Sequence, residues 1–517
     1  MSAPAEQTII QEGKARIPVP ATTTQDVFYN PIQEFNRDMS IAAINVWSKM
    51  YLDEVAAKKA EKPNKKPKDD APANPTEINV LEALSATGLR AIRYAKECDH
   101  VKHILANDFD ASAAAAIKRN AEFNDVLGNM VMYQSLQAGG FPVADGQKMK
   151  FMVVDLDPYG TAAPFLDAAV RSVGSGGLLC VTCTDMAVLA GSQWEACWAK
   201  YGSMPIPNAS FCHEMGLRML LQSIQNSAAR YGRAIEPLMS CSIDFYVRVF
   251  VRVTTNAALC KQMVSKASMI YSCVSCRAHH TSPMGSYSVD GPSTKFKNPS
   301  LPKIGSVCEQ CGSKFHIGGP FFSGPIHNTE FVSKMIEYVK AGVEVEKFKT
   351  HQRMIGMLTV ISEELPDVPL FYSLDSICQA IHCSVPPLRS FFSALVNAGY
   401  KVSSSHCMPT SFKTDAPNSV IWDILRCWVK EHPISEKRMI EGSVSSKILT
   451  VQPTLVADFT RNKNAEPEST KVKLVRYQQN PVKNWGPKAK AKPGANANPK
   501  NAAGKRPRED DDEGAKE

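Results

Sequence analysis

The fold is decided by one stretch of the chain, INVLEALSATGLRAIRYAKE at residues 78–97. Its apolar run over 78–84 predicts a buried strand, and the small residues that follow predict a tight turn into a helix over 91–98. A second strand over 103–106 and an alanine-rich helix over 111–123 continue the pattern. This βαβα alternation is typical of a parallel sheet covered by helices.

The alternation continues along the chain and predicts a doubly wound, Rossmann-like α/β fold. Apolar periodicity predicts strands over 151–155 and 177–184, helices over 163–173 and 216–231, and late strands over 239–242 and 245–253. We expect all of these strands to join one parallel sheet.

Composition places the chain among soluble globular proteins. It has 517 residues, of which 44% are hydrophobic, and no apolar run reaches the roughly 18 residues of a membrane helix, so no membrane association is expected. The N-terminus lacks the charged start and apolar core of a secretory signal. Fifteen cysteines, mostly single and within apolar stretches, indicate a reducing compartment.

The chain divides by texture into several parts. Residues 1–24 show little periodicity and are predicted as an N-terminal extension, and 25–260 as the sheet domain, interrupted by a disordered Lys/Pro-rich insertion at 58–77. Residues 261–460 are predicted as a smaller α+β domain. In it a helix, a turn, a helix and a strand between Leu374 and Ser405 resemble a winged helix.

The basic charge is concentrated in the tail, residues 461–517, which is predicted as mostly disordered. The chain carries a net charge of +8, and the stretch from Lys471 to Arg508 alone holds eleven basic residues and no acidic one. Such a tail contacts nucleic acid or an import receptor, or else only solubilises the protein.

Ligands of doubly wound sheets lie beyond the carboxyl ends of the strands, where two loops suggest an adenosine-containing cofactor. Ser85 and Gly88 lie in the turn after the first strand, and Asp108 ends the second, where a carboxylate can accept ribose hydroxyls. A single glycine favours S-adenosylmethionine over a dinucleotide, which needs a glycine-rich turn. A nicotinamide-dependent oxidoreductase and a ligand-free turn are the alternatives.

The decisive loop contains Asp157, Pro158 and Tyr159 after the strand at 151–155. The lone pair of an exocyclic purine amine is delocalised and a poor nucleophile. A carboxylate and the proline carbonyl can accept its two N–H bonds and stabilise the charge that develops during methyl transfer, while the aromatic ring stacks on the base. An ordinary turn is the alternative for these letters alone.

The segment FYNPIQEFNRD at 28–38 precedes an amphipathic helix predicted to end near Tyr51. Phe28 is a candidate for the second face of a base sandwich, and Arg37 for a bidentate contact to the donor's carboxylate. A surface helix cap at Asp38 with an ordinary salt bridge is the alternative.

Two C-x2-C pairs predict a structural zinc site. Four thiolates suit tetrahedral zinc and leave no open position; the residues are Cys273, Cys276, Cys308 and Cys311. The intervening loop is long for a zinc ribbon, so His279, His280 and His316 are minor alternative ligands.

Taken as an ordered set, these stretches resemble the tRNA (guanine-26-N2)-dimethyltransferases. Matching segments include FYNPIQEFNRD, LEALSATGLRAIRYAKE, DLDPYGTAAPFLDAAVRS, SIDFYVRVFVRV and RYQQNPVKNWGPK, spread over about 27–487. The resemblance implies a class I methyltransferase domain, S-adenosylmethionine as donor and tRNA as substrate, with no obligate protein partner. It implies this assignment: Asp157 as catalytic carboxylate, Phe28 and Tyr159 stacking on guanine, Arg37, Arg90 and Asp108 as cofactor contacts, and the four cysteines as zinc ligands.

Two further features remain open. The family's Asp-Ala pair, which contacts adenine, falls at Leu127 in this chain, so Asp125 or the backbone takes over, or the acid is dispensable. This departure favours a rival hypothesis, a catalytically degenerate zinc-bearing RNA-binding protein. GKRPR at 504–508 resembles a nuclear import signal and favours the nucleus, with mitochondrion or cytoplasm as alternatives.

Overall fold

The computed structural model describes residues 7–20, 29–61, 77–133, 151–291, 293–300, 304–470 and 475. It begins with a β-hairpin and a long helix, β1 (Gln7–Glu12), β2 (Ala15–Pro20) and α1 (Glu34–Glu61). The hairpin falls within the predicted featureless extension, and α1 runs ten residues beyond Tyr51 into the first residues of the predicted insertion. Residues 62–76 lie outside the described part.

A seven-stranded sheet forms the centre, in the spatial order β5-β4-β3-β6-β7-β9-β8. Its strands are β3 (Ile78–Glu82), β4 (Val101–Asn107), β5 (Met130–Tyr133), β6 (Phe151–Leu156), β7 (Val173–Cys183), β8 (Arg233–Ile243) and β9 (Tyr246–Thr255). The first five are parallel, as predicted. The expectation of an all-parallel sheet is wrong for β8 and β9, since a two-residue turn joins them and such a turn forces antiparallel pairing.

Helices cover both faces of this sheet, so the fold is doubly wound. They are α2 (Leu89–Glu97), α3 (Ala111–Phe123), α4 (Leu166–Ser172), α5 (Met186–Leu189), α6 (Trp194–Tyr201), α7 (Cys212–Ala229) and α8 (Ala257–Gln262). Residues of α1, α2 and α3 form one hydrophobic cluster, whereas those of α4 and α7 form another. The two clusters bury opposite faces of β3 and β6 because side chains alternate along a strand.

The C-terminal half adds three small sheets and several helices. Around the cysteine pairs lie β10 (Ala267–Cys273), β11 (His279–Pro283), β12 (Ser286–Asp290), β13 (Ser293–Lys297) and β14 (Phe315–Phe322). They are followed by α9 (Thr329–Ala341), α10 (His351–Glu363), β15 (Tyr372–Ser373), α11 (Leu374–Ile381), α12 (Leu388–Asn397), β16 (Val402–Ser405), β17 (Met408–Thr414), α13 (Asn418–Glu431) and α14 (Val444–Leu449). The strands of the three small sheets lie in the orders β11-β10-β14, β12-β13 and β15-β17-β16. Helices α11 and α12 with the β16–β17 hairpin give the predicted winged-helix-like element.

Helices α9 and α10 connect the two halves. Phe331, Met335 and Met354 lie in the same hydrophobic cluster as α1 and the central sheet. The boundary predicted near residue 260 therefore marks a change in sequence composition. The hydrophobic packing of the first half continues beyond it, through α10.

The beginning of the predicted tail is packed as well. Ala465 is buried in the cluster around α12 and α13, and the backbone N–H of Ser469 donates to Glu363 Oε1 at 2.7 Å. The basic residues from Lys471 onward, including 504–508, lie outside the described residues. Among the helices that are described, none is both long and apolar enough to cross a membrane.

Candidate active site

The first loop at the carboxyl edge of the sheet joins β3 to α2. Gly88 precedes α2 in the left-handed conformation, with φ of 75°, which a glycine adopts without strain. Its N–H donates to Ser85 O at 2.7 Å. Asp108 follows β4, and its Oδ2 accepts the N–H of Ala86 at 2.9 Å. Ser85, Gly88 and Asp108 thus come together as predicted, in a cradle that suits the ribose and amino-acid ends of S-adenosylmethionine.

The turn after β6 presents the predicted catalytic group to the same edge. Pro158 is buried, whereas the side chain of Asp157 is 20% exposed and that of Tyr159 extends outward. Two hydrogen bonds between Gly160 and Thr184 at the end of β7, each 2.8 Å, fix the turn. The fixed turn therefore presents the carboxylate of Asp157 and the ring of Tyr159 at this edge of the sheet.

Arg90 connects the two loops. From the first turn of α2, its Nη2 donates to Asp157 Oδ2. Its Nη1 donates to Ser40 Oγ of α1 at 3.1 Å, so the guanidinium is held from both sides. The orientation of the Asp157 carboxylate therefore depends on a residue that resemblance alone assigns to the cofactor.

Beneath Arg90 lies a buried ion pair. Arg248 of β9 donates from Nη1 and Nη2 to the two carboxylate oxygens of Asp155, at 2.7 and 2.8 Å, and neither side chain is exposed. Tyr94 also donates to Asp155. Burial alone would raise the pKa of Asp155, but Arg248 and Arg90 outweigh it and hold that pKa below its usual range. Asp155 is thus a buried anion that holds the arginines beneath the site.

Glu82 ends β3 beside the same arginine. Burial is the main cause that raises the pKa of Glu82 to about 8, against the opposing effect of Arg90. Its Oε1 lies 3.7 Å from Arg90 Nε. Near neutral pH, Glu82 therefore holds its proton, and Asp155 is the buried anion beside Arg90.

Arg37 is not in this cluster. Its Nε and Nη2 both donate to the carboxylate of Glu12 in β1, each at 2.5 Å, and Nη2 also reaches Asn30 O. The guanidinium is thus occupied by the N-terminal hairpin, and a cofactor contact from Arg37 stays a prediction. Phe28, the other candidate of this segment, lies outside the described residues.

Asp125 lies at the wrong edge for the adenine contact. It stands in the turn between α3 and β5, with φ of 57°. Because β4 and β5 are parallel, that turn is at the amino ends of the strands, opposite Asp108 and Asp157. Leu127 belongs to the same connection, as part of a short 3-10 helix. The loop that follows β5 at the carboxyl edge, residues 134–150, is outside the described part.

The four cysteines meet as the spacing predicts. Cys273 Sγ lies 3.4 Å from Cys311 Sγ, and Cys276 Sγ lies 3.6 Å from Cys308 Sγ. All four side chains are buried, and their sulfur atoms lie within 4.8 Å of one another. A tetrahedron with zinc–sulfur distances of about 2.3 Å has edges of about 3.8 Å, so this group fits a structural zinc ion.

The three alternative ligands stay outside the sulfur cluster. His279 stacks on Tyr372 at 4.3 Å between ring centroids. His280 Nε2 lies 3.2 Å from Glu309, and His316 is exposed on β14. The donor set in the described structure is therefore four thiols.

Comparison with known proteins shows the family. A sequence model described as N2,N2-dimethylguanosine tRNA methyltransferase matches residues 6–426. The chain belongs to this family. The N2,N2-dimethylguanosine tRNA methyltransferase match spans the N-terminal hairpin, the central sheet, the cysteine cluster and the winged-helix-like element.

Relatives named as tRNA (guanine(26)-N(2))-dimethyltransferases match almost the whole chain. The Schizosaccharomyces pombe protein is 43% identical, over 93% of this chain and 92% of its own length. The human protein is 41% identical, over 95% of this chain and 79% of its own. A relative of Saccharomyces cerevisiae, 37% identical, has a name that adds "mitochondrial".

A solved structure supports the same N2,N2-dimethylguanosine tRNA methyltransferase fold. It is the complex of Trm1 from Pyrococcus horikoshii with S-adenosyl-L-methionine. The sequences are 28% identical, the TM-score is 0.58, and the match covers 80% of this chain and 98% of the other.

Sequence reasoning missed the charged residues beneath the site. Arg248 is a cation in the apolar strand YVRVFVRVTT, and Asp155 is an anion within the buried run FMVVDL. A charge at an inward position of a buried strand signals a partner elsewhere in the fold. Here the partners are 93 residues apart. The sequence therefore shows that each charge lies in a buried strand, and it does not show that the two charges pair.

Proposed function

We propose that this chain transfers two methyl groups from S-adenosylmethionine to the exocyclic N2 amine of guanine-26 in tRNA, giving N2,N2-dimethylguanosine. The observation that carries the proposal is the fixed turn with Asp157, Pro158 and Tyr159 at the carboxyl edge, joined through Arg90 to the cradle of Ser85, Gly88 and Asp108. The family match and the names of the relatives agree with it.

The residues act by holding the amine in position. Arg90 occupies Oδ2 of Asp157, and no other described residue hydrogen-bonds to Oδ1. We assign Oδ1 and the Pro158 carbonyl as acceptors for the two N–H bonds, which localises the nitrogen lone pair. When bound in the cradle, S-adenosylmethionine supplies the electrophilic methyl group. Asp157 then stabilises the positive charge on the nitrogen and takes its proton.

The guanine must leave its stack to reach this turn. Extrusion of a base costs a few kcal/mol, which stacking on an aromatic side chain offsets. Tyr159 is 44% exposed, an accessible ring beside Asp157. We assign Tyr159 to one face of the guanine and Phe28 to the other, and the remaining cofactor contacts to Arg37 and Arg90.

The direct test is a methyl-transfer assay on an unmodified tRNA transcript. Purified protein is incubated with labelled S-adenosylmethionine, and the RNA is digested to nucleosides that are identified by mass. We expect dimethylguanosine with the wild type and none with Asp157→Ala, whose binding of donor and tRNA stays within a few fold. Asp167→Asn, the removal of an exposed carboxylate on α4, is the matched control.

The other outcomes have separate meanings. Substantial turnover by Asp157→Ala would remove this residue from catalysis. Tight tRNA binding without any methyl transfer by the wild type would favour the degenerate RNA-binding protein instead.

We further propose that the C-terminal domain, residues 261–460, and the basic tail hold the tRNA backbone. Phosphate contacts by Lys and Arg make affinity strongly salt-dependent. Deletion of residues 488–517 is expected to weaken tRNA binding without changing kcat at saturation. Loss of folding in that variant would show a structural role for the tail.

We place the protein in the nucleus, on the basis of the basic segment 504–508. Its test is a fluorescent fusion of the full chain with alanines at Lys505, Arg506 and Arg508, compared with the unchanged fusion. An unchanged distribution would contradict an import role.

A further inference from the structure

A cavity of about 180 Å³ lies between the β8–β9 turn and the C-terminal half. Asp244 in the turn, Arg353 and Met357 of α10, and His406 after β16 line it. β9 runs antiparallel to β7, so the turn stands at the carboxyl edge of the sheet, where Asp157 and Thr184 also lie. The turn that lines the cavity therefore lies at the same edge of the sheet as Asp157, and β7 separates β9 from β6, the strand that Asp157 follows.

Asp244 has a carboxylate oxygen that the described fold does not use. Its Oδ1 accepts from Arg353 Nη2 at 2.9 Å, and its side chain is only 8% exposed. Its Oδ2 is buried and has no hydrogen-bond partner among the described residues. Buried acceptors of this kind are rare because each lost hydrogen bond destabilises the fold. The unused oxygen is therefore a position for a donor from outside the chain.

The side chain of Tyr246 is affected by the charges of both Asp244 and Asp157. Its ring is fully buried two residues after Asp244. Burial raises the pKa of Tyr246, Arg353 opposes this, and the charges of both Asp244 and Asp157 act in the same direction as burial. The side chain of Tyr246 is thus within electrostatic reach of both carboxylates.

The charges of the cavity do not suit a phosphate. The two cations that line it already have partners. Arg353 is paired with Asp244. Despite burial, which lowers it, the pKa of His406 is raised well above its ordinary value by Cys407 and Glu364, and His406 is paired with Glu364. Burial lowers the pKa of His213, which keeps that ring neutral near pH 7. The volume is below the roughly 300–1,000 Å³ of pockets that enclose whole drug-sized ligands. Met357 and Val360 add apolar surface. A single planar ring with an N–H donor fits these properties.

We propose that this cavity is a second nucleobase pocket, which binds a tRNA base other than the methylated guanine. An N–H group of that base donates a hydrogen bond to Asp244 Oδ2. The inference rests on the proposed function for the nature of the RNA. Carboxylates accept from the exocyclic amines of adenine, cytosine and guanine, whereas uracil carries no such amine. The hydrogen bond from Arg353 holds the Asp244 carboxylate in place. The guanidinium carbon of Arg353 also lies 4.5 Å from the centroid of the Phe35 ring at the start of α1.

The test is Asp244→Asn in the full chain. Asn adopts the left-handed backbone that position 244 requires, with φ of 46°. The side-chain oxygen of Asn can still accept the hydrogen bond from Arg353, while its NH2 group replaces the acceptor Oδ2. We expect the Kd and KM for tRNA to rise roughly ten-fold or more, with kcat and donor affinity unchanged. The Tm should fall, because the buried guanidinium of Arg353 loses its charged partner. Asp167→Asn is the control and should change none of these values.

A transcript series identifies the base. Abasic sites are placed one at a time in the tRNA nucleotides around the target guanine, and Kd is measured with wild type and Asp244→Asn. At one position the abasic site should weaken binding to the wild type and have no further effect in the variant. The slope of log Kd against log salt should stay the same, because a base contact releases no counterions.

Three results would overturn the pocket: an unchanged Kd for Asp244→Asn, an effect of equal size at every abasic position, or a salt slope reduced by about one, the sign of a phosphate contact. Kd is measured without turnover. If the wild type binds tRNA but transfers no methyl group, the proposed function is wrong, while the Kd series still tests the pocket.

Discussion

Arg90 at the start of α2 and Asp157 in the turn after β6 are 67 residues apart and are joined by a hydrogen bond from Nη2 to Oδ2. The carboxylate that we propose as the acceptor for the guanine amine and the guanidinium of Arg90 therefore form one unit. This contact gives Arg90 a role in positioning Asp157, besides the cofactor contact that the family resemblance implies.

Arg90→Lys should separate these two roles. Lysine lacks the planar guanidinium that reaches Ser40 and Asp157 together. We expect kcat to fall at least ten-fold, while the KM for S-adenosylmethionine changes less than three-fold. Steady-state kinetics with tRNA at saturation measure both, and Arg171→Lys on exposed α4 is the matched control. A raised KM with preserved kcat would instead assign Arg90 to the cofactor.

Arg248→Met should destabilise the fold because it leaves Asp155 buried without its bidentate partner. Removal of one member of a buried ion pair costs about 3–5 kcal/mol of unfolding free energy. The double variant Asp155→Asn/Arg248→Met should recover part of this loss, since no buried charge is left unpaired. Denaturant unfolding of the four proteins measures the difference. A double variant as unstable as the sum of the single losses would contradict a direct pairing.

Glu82 should make stability depend on pH. Its pKa is raised in the folded chain to about 8 from an ordinary value of 4.5, so the folded state holds the proton more tightly than the unfolded state. The resulting stabilisation is complete below about pH 4.5 and is lost as pH rises through about 8. The Tm of the wild type should therefore fall relative to that of Glu82→Gln between pH 5 and 9. The exposed Glu330→Gln should show no such trend.

Cys308→Ser should remove the zinc site. Three remaining thiols hold zinc less tightly, and structural zinc contributes directly to folding. We expect about one zinc ion per wild-type chain by elemental analysis, much less in the variant, and a lower Tm. Cys260→Ser, at a cysteine of α8 that is not part of the cluster, should keep the metal. Full zinc content in Cys308→Ser would exclude this donor set.

Local patterns predicted a large part of the fold. The alternating runs from 78 to 123 and from 151 to 184 gave strands and helices close to those observed, because burial on one or both faces determines which residues repeat. The loop positions of Ser85, Asp108 and Asp157 followed from the rule that sites lie at carboxyl ends of strands. The cysteine cluster followed from ligand spacing.

Long-range pairings could not be obtained in this way. Nothing near Glu12 in sequence shows that it will bind Arg37 and Arg93, whose combined effect lowers the pKa of Glu12 despite its burial. Likewise Asp155 of β6 and Arg248 of β9 meet only because the sheet places their strands on either side of β7. The expectation that Asp125 could contact adenine was wrong for a related reason. The edge on which a turn lies depends on the direction of the strand that follows it.

The N-terminal hairpin has a consequence for the growing chain on the ribosome. The backbone N–H groups of Lys14 and Arg16 donate to Glu97 and Asn124, which are 83 and 108 residues downstream. At translation rates of about 5–20 residues per second, those acceptors emerge on the order of 5 to 20 s after the hairpin. An isolated two-stranded hairpin is marginally stable in water. The hairpin is therefore synthesised well before the residues that hold it, and it reaches its final place only after they have emerged.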